Sequence, residues 1–186
     1  GTAVSKETYK FGTAVIAPAA PTKTGYTFGG WDKTIPESMP AGDMTVKAQW
    51  KINQYTITFD TDGGSEVASI TQDYGTEITA PAAPSKTGYT FAGWSEEIPA
   101  TMPAENMTVK AQWKINQYTI TFDTDGGSEV ESITQDYGTT IAKPTDPTKT
   151  GYTFAGWYTD AACTNAWNFG SNMLADHDMT LYARWV

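Results

Sequence analysis

The chain has 186 residues and a net charge of −9, from 21 acidic and 12 basic side chains. Nucleic acids and anionic membrane surfaces require a basic binding face, so this composition argues against both as partners. With 39% hydrophobic and 18% charged residues, the chain is neither a disordered tail nor a coiled coil, and no apolar run approaches the roughly 18 residues of a membrane-inserted helix.

An internal repeat organises the chain. The segment from Tyr55 to Trp94 matches the segment from Tyr118 to Trp157 at 33 of 40 positions, with an offset of 63 residues. At the same offset, the N-terminal twelve residues match those that begin at Gly64, so a third copy opens the chain. Repeats of this length are single structural units arranged in series.

The repeat predicts three modules, at residues 1–50, 51–113 and 114–186. The first is truncated, because the position equivalent to Tyr55 falls before the first residue and the opening strand is missing. The third is a long form: 72 residues separate Trp113 from Trp185, against 63 from Trp50 to Trp113, which indicates a nine-residue insert.

The first half of a complete module predicts two strands. Tyr55–Phe59 alternates large apolar residues with threonine, the period-two pattern of a half-buried strand. Turn-forming residues follow at Asp60–Gly64, and a second extended stretch runs from Val67 to Tyr74. Ala80–Pro84 is expected to be a surface connection, because proline has no N–H to donate to a ladder.

The second half predicts two more strands. Gly88 marks a turn before the strand from Tyr89 to Trp94, and Met107–Trp113 closes the module with clean alternation. Between them, Glu97–Pro103 has room for a turn or one helical turn. The predicted fold class is therefore mainly β, formally α+β.

The recurring aromatic side chains are expected to form the module cores, because units of about 63 residues need bulky groups to fill a short core. The predicted core-forming residues are Tyr55, Phe59, Tyr89, Phe91, Trp94, Trp113, Tyr118, Phe122, Tyr152, Phe154, Trp157 and Trp185.

Two identical four-residue linkers, Lys51–Gln54 and Lys114–Gln117, join the copies. Neither contains Gly or Pro, and each runs almost directly from one strand into the next, unlike a flexible Gly/Ser tether. We therefore expect an elongated array in which the modules do not enclose a shared pocket.

The combined pattern YTITFDTDGG…YG…P…KTGYTFAGWYTD…WNF…MTLYARW resembles the Listeria–Bacteroides repeat, the B-repeat of internalin-type proteins. This resemblance implies tandem β-grasp-like modules in bacterial cell-surface or secreted proteins. It implies an extracellular location, a spacer or adhesion-associated role, and no catalytic activity or cofactor. The first two copies depart from the pattern because they lack the YTD…WNF segment.

Candidate chemical sites are few. The only histidine, His177, and the only cysteine, Cys163, both lie near the insert of the third copy, and we interpret them as loop residues rather than as a catalytic pair. The acidic run Asp60–Glu66 has the oxygen-rich character of part of a calcium loop, but a hairpin turn capped by Asp is the simpler interpretation. We therefore predict no catalytic, cofactor or metal site.

Two functions remain open from the sequence: a structural spacer, and a binding module for a host glycan or surface protein. Trp167 and Phe169 occur only in the third copy and are the candidate exposed ligand-binding residues. The truncated first module has an unpaired sheet edge, so we also expect either strand pairing with another copy or a weakly ordered first module.

Overall fold

The computed structural model of the chain describes all 186 residues and contains ten strands and no helix. This confirms the mainly β class, whereas the α+β component is not confirmed. Since there is no helix, the chain also has none long and apolar enough to span a membrane.

The structure divides into two compact units. The first comprises Gly1–Asp60, Val67–Ala82 and Trp94–Lys110, and the second comprises Thr61–Glu66, Ala83–Gly93 and Ala111–Val186. The first unit therefore contains residues of the first and second repeats, and the second unit contains residues of the second and third repeats.

The first repeat contributes a two-stranded antiparallel sheet. Its strands are β1 (Tyr26–Trp31) and β2 (Ala48–Ile52), with a register shift between Phe28 and Gly30. The residues before β1 form no strand.

The second repeat contains β3 (Gln54–Asp60), β4 (Ile70–Asp73), β5 (Tyr89–Trp94) and β6 (Met107–Ile115). The sheet order is β4-β3-β6-β5, so the first and last strands of the repeat are neighbours and run parallel. Alternation along β3 buries Ile57 completely and leaves Phe59 only 7% exposed, as its period-two pattern predicts.

The third repeat forms an equivalent sheet. It contains β7 (Gln117–Asp123), β8 (Ile133–Asp136), β9 (Phe154–Tyr158) and β10 (Met179–Trp185), in the order β8-β7-β10-β9. Repeating one sequence pattern thus repeats one topology, with a parallel central pair and an antiparallel strand at each edge.

Each complete repeat has its own hydrophobic cluster. In the second repeat, the buried residues are Ile57, Phe59, Ile78, Met102 and Val109. In the third repeat, they are Ile120, Phe122, Ile141, Trp157, Leu174, Leu181 and Ala183.

The predicted core aromatics fall into three groups. Phe59, Phe122 and Trp157 are buried, while Tyr55, Trp94, Tyr118, Phe154 and Trp185 pack half-buried against the two clusters. Tyr89, Phe91 and Trp113 are half-buried outside these clusters. Tyr152 is the exception. It is 57% exposed, so its assignment to the core is wrong.

Candidate functional site: the junction between repeats

The connection between consecutive repeats is a single asparagine. β2 ends at Ile52 and β3 begins at Gln54, so Asn53 alone separates two strands of neighbouring repeats. Asn116 has the same position between β6 and β7. With one residue outside the ladders, the backbone at each junction has very little freedom.

Each junction asparagine joins both repeats through its backbone. The N–H of Asn53 donates to the carbonyl of Gly25, and its carbonyl accepts from the N–H of Tyr74, both at 2.9 Å. Asn116 repeats this pair of bonds with Gly88 and Tyr137, again both at 2.9 Å. The asparagine therefore connects a turn of the preceding repeat to the end of the second strand of the following repeat.

The asparagine side chain adds a second set of bonds. Thr27 donates its hydroxyl to Asn53 Oδ1 at 2.6 Å, and Thr90 does the same to Asn116 Oδ1 at 2.6 Å. The Asn116 amide also donates to the hydroxyl of Tyr118 at 3.2 Å. An asparagine amide suits this position because it offers both an acceptor and two donors.

A tyrosine ring closes each junction against a glycine. A Cβ placed on Gly25 would lie 2.0 Å from Tyr74 Cδ1, and a Cβ on Gly88 would lie 1.9 Å from Tyr137 Cδ1. Both glycines also have positive φ, at 75° and 77°. Only glycine satisfies both conditions, since any other side chain would collide with the ring and strain the backbone.

The same rings make edge contacts with the preceding repeat. Tyr74 lies edge-on to Tyr26 at 6.1 Å, and Tyr137 lies edge-on to Tyr89 at 6.2 Å, with interplanar angles of 78° and 77°. Aromatic pairs prefer this T-shaped arrangement, and each contributes about 0.5–1.5 kcal/mol beyond its buried area. We refer to the asparagine, glycine and two tyrosines at each position as the junction lock.

In the third repeat, no tyrosine ring packs against the equivalent glycine, Gly151. Gly151 has φ of 84°, but nothing lies within 4 Å of a Cβ built there. The neighbouring Tyr152, equivalent to Tyr26 and Tyr89, is exposed for this reason: no tyrosine covers it.

The acidic turn after the opening strand is closed by tryptophan. Trp113 Nε1 donates to the carbonyl of Thr61 at 3.0 Å, and Trp185 Nε1 donates to the carbonyl of Thr124 at 3.0 Å. The second turn also has Lys149 Nζ 3.2 Å from the carboxylate of Asp125. No group of three or more His, Cys, Asp or Glu side chains is arranged to hold a metal ion.

The insert of the third repeat packs onto its own core. The N–H of Trp167 donates to the carbonyl of Trp157 at 2.8 Å, and both Trp167 and Phe169 are half-buried against the hydrophobic cluster. These two residues therefore do not form the freely exposed aromatic patch that the sequence suggests. They pack against the cluster that contains Trp157, which is 2% exposed.

Cys163 and His177 contact different neighbours. Cys163 is half-buried with a positive φ of 51°, and its sulfur approaches the carbonyl of Ala161 at 3.9 Å. His177 is exposed beside Asp176, with its Nδ1 at 3.2 Å from the carboxylate. The Cys163 sulfur and the His177 ring thus contact different groups and do not pair as nucleophile and base.

Asp160 caps the turn of the insert. Its carboxylate accepts from the N–H groups of Thr164 and Asn165, the latter at 2.9 Å, and these backbone hydrogen bonds lower the pKa of Asp160 below its ordinary value. Bonds to the ionised form favour that form.

Acidification is therefore expected to loosen this turn. Because the folded-state pKa of Asp160 is lowered, the ionised carboxylate stabilises the turn at pH values above the ordinary aspartate pKa. This stabilisation is lost as the pH falls through the lower, folded-state pKa. An NMR titration should show the Asn165 amide shift moving with a midpoint below that of an ordinary aspartate. Asp160→Asn should abolish this transition, and a midpoint at the ordinary value would contradict the expectation.

Comparison with known proteins decides the family. The family model described as the Listeria-Bacteroides repeat domain matches residues 1–49, 55–112 and 118–184. The chain belongs to this family. The recognition made from the sequence motifs is thereby confirmed, and the matched ranges divide the chain into three tandem repeats of the family.

Similar proteins come from two bacteria. A protein of Evansella cellulosilytica, provisionally named as a membrane protein, is 36% identical over 201 residues that cover 100% of this chain and 30% of its own length. Internalin H of Listeria monocytogenes is 39% identical over 167 residues, covering 82% of this chain and 30% of its own length. The chain thus spans less than a third of the length of either relative.

The chain is also similar to a solved structure. The streptococcal high-identity tandem-repeat (SHIRT) domains 3–4 from a cell surface protein are 20% identical and align with a TM-score of 0.25, covering 71% of this chain and 96% of that one.

The junction lock was not predicted from the sequence. The identical linkers and the tyrosine after each turn glycine are visible in the sequence, but the sequence does not show that Tyr74 and Tyr137 pack against those glycines. The signal that identifies the lock is the recurrence of glycine, tyrosine and asparagine at the same offset in both joined pairs of repeats. Only the structure shows that these three positions meet.

Proposed function

We propose that this chain is a non-catalytic spacer segment of a bacterial cell-surface or secreted protein, in which the junction locks hold successive repeats at a fixed separation. The observation that carries this proposal is the recurrence of one set of contacts at both junctions. Asn53 and Asn116 make the same backbone bonds, and Gly25 and Gly88 receive the same ring.

Several features support a spacer built in this way. The linkers have one residue outside the ladders, and each junction combines hydrogen bonds with a packed aromatic ring. A rigid connection suits a spacer, because the end-to-end distance of a flexible tether grows only as the square root of its number of residues. The parallel pairing of the first and last strands in each complete repeat supports a β-grasp-like sheet that lacks the helix.

Family membership and the named relatives support the location. One relative is an internalin and another is provisionally named as a membrane protein, so we place the spacer outside the cell, attached to the surface or secreted. An adhesion-associated role belongs to the same proposal. It requires a ligand-binding surface either on these repeats or elsewhere in a longer polypeptide.

Small-angle scattering of the whole chain tests the spacer role. A compact 186-residue domain would have a radius of gyration of about 16 Å. We expect a value well above this, with the profile of an elongated particle. A compact profile, with the repeats folded against one another, would contradict the proposal.

Binding of a host glycan or surface protein is the alternative function. Trp167 and Phe169 were its candidate residues, and their packing against the core does not favour it. In a glycan and mucin binding assay, we expect no saturable signal from the chain. Saturable binding that Trp167→Ala abolishes, in a variant that still scatters as a folded chain, would instead support the binding function.

A further inference from the structure

The first and last strands of each complete repeat lie side by side in the sheet. In the third repeat, β7 and β10 pair in parallel through four registered residue pairs, residues 120–123 with residues 179–182. In the second repeat, β3 and β6 pair in the same way, residues 57–60 with residues 107–110. We refer to these two neighbouring strands of a repeat as the terminal pair.

Tension along the chain loads the terminal pair in shear. Asn53 precedes the first residue of β3 and Asn116 follows the last residue of β6, so a pull along the chain draws β3 backwards and β6 forwards. The two strands overlap through the last four residues of β3 and the first four residues of β6. Because the strands are parallel, these pairs must slide past one another, and all four are loaded together. A hairpin pulled at its two free ends would instead open its pairs in turn.

Side-chain hydrogen bonds extend the terminal pair beyond both ends of its ladder. Just before β10, the carboxylate of Asp178 accepts from the N–H of Thr119 at 2.7 Å. Just after β7, the carbonyl of Thr124 accepts from Trp185 Nε1 at 3.0 Å. The second repeat has the same two bonds, with Asn106 in place of the aspartate. Each bond connects the two sides of the terminal pair, so sliding of the strands must break it as well.

Water has little access to the ladder of the terminal pair. In both four-stranded sheets these two strands are central, with a further strand on each side. On the core face of the third repeat, Ile120 and Leu181 are completely buried and Phe122 is 7% exposed. A backbone hydrogen bond that is stretched in this environment is not readily replaced by a bond to water, so sliding has a high barrier.

We infer that the complete repeats bear mechanical tension, and that the terminal pair is the element that resists it. A spacer tied to a surface at one end and to a ligand at the other would be pulled along its chain. Bearing tension goes beyond the proposed spacer role, because an array can be elongated and still unfold under a weak pull. The insert between β9 and β10 leaves the pair unchanged, since the second and third repeats share its register and its two side-chain bonds.

Single-molecule force spectroscopy of the complete chain tests the inference through the direction of pulling. Handles at Gln117→Cys and Val186→Cys pull β7 and β10 in shear, whereas handles at Gln117→Cys and His177→Cys peel apart the starts of the same strands. All three positions are exposed, and both variants carry Cys163→Ser. We expect an unfolding force at least about twofold higher in shear, since shear loads the ladder pairs together and peeling loads them in turn.

Two matched core variants separate mechanical resistance from overall stability. Leu181 and Leu174 belong to the same cluster and are 0% and 1% exposed, but only Leu181 lies in the terminal pair. Leu181→Ala and Leu174→Ala should lower the urea midpoint of the third repeat to a similar extent, because each leaves the cavity of one leucine side chain. Forced unfolding follows the barrier and not the equilibrium stability, so Leu181→Ala should lower the unfolding force in shear more than Leu174→Ala does.

Equal unfolding forces in the two pulling directions, or a higher force in peeling, would overturn the inference. An equal loss of shear force in the two leucine variants would overturn the role of the terminal pair. If a leucine variant does not fold, the comparison of pulling directions decides alone. These results leave the scattering test of the spacer role unaffected, because an elongated chain is compatible with either mechanical response.

Discussion

Gly88→Ala is expected to destabilise the junction far more than Gly151→Ala. Both substitutions place a Cβ on a residue with positive φ, 77° and 84°, which costs about 1–2 kcal/mol each. At Gly88 the new methyl group would also lie 1.9 Å from Tyr137, so the ring must move, at a further cost of about 1–3 kcal/mol. At Gly151 nothing lies within 4 Å, so only the backbone cost remains.

Urea unfolding of the two variants measures this difference, and amide exchange at Asn116 and Tyr137 locates it. A double variant, Gly88→Ala with Tyr137→Ala, should cost less than the sum of the single variants, because removing the ring removes the collision. If Gly88→Ala and Gly151→Ala had equal costs, the ring would not constrain this junction.

Trp157→Ala is expected to cost about 3–5 kcal/mol in the third repeat. The ring is 2% exposed and lies 4.9 Å from the Phe122 ring and 5.3 Å from the Phe154 ring. A loss of this size approaches the whole stability of a small repeat, so we expect the third repeat to be largely unfolded at 25 °C. Loss of the near-ultraviolet circular dichroism of its aromatic cluster would show this directly.

Tyr152→Ala is the matched control for this experiment. It removes a large aromatic from the same repeat, but one that is 57% exposed, so we expect a change within about 0.5 kcal/mol. Comparable losses for the two variants would contradict the assignment of Trp157 to the core and of Tyr152 to the surface.

Much of the architecture was predictable from periodicity. Alternation along Tyr55–Phe59 and Met107–Trp113 predicted strands that the structure contains as parts of β3 and β6. Period-two patterns are informative because one face of each strand packs on a core and the other does not. The parallel pairing of these two strands was not predictable, since alternation identifies a buried face but not the neighbour along the sheet.

The junction lock could not be predicted from the sequence for a related reason. An aromatic residue near the end of a strand is equally compatible with packing inside its own repeat and against the neighbouring one. The sequence predicts Tyr89 to be a core residue, and the structure places its ring in the second junction, against Tyr137. Trp167 and Phe169 were expected to be exposed, but both pack against the core of the third repeat. The sequence alone does not show that the Trp167 N–H bonds to the Trp157 carbonyl.

The distribution of distances across the second junction tests the account most directly. Spin labels would be attached at Ala92 and Thr121, both exposed strand positions, in a chain that carries Cys163→Ser. Pulsed electron–electron double resonance would then measure the distance between the two labels. We expect one narrow distance distribution, unchanged by Gly151→Ala and broadened by Gly88→Ala. A broad distribution in the chain without junction substitutions would contradict a locked junction.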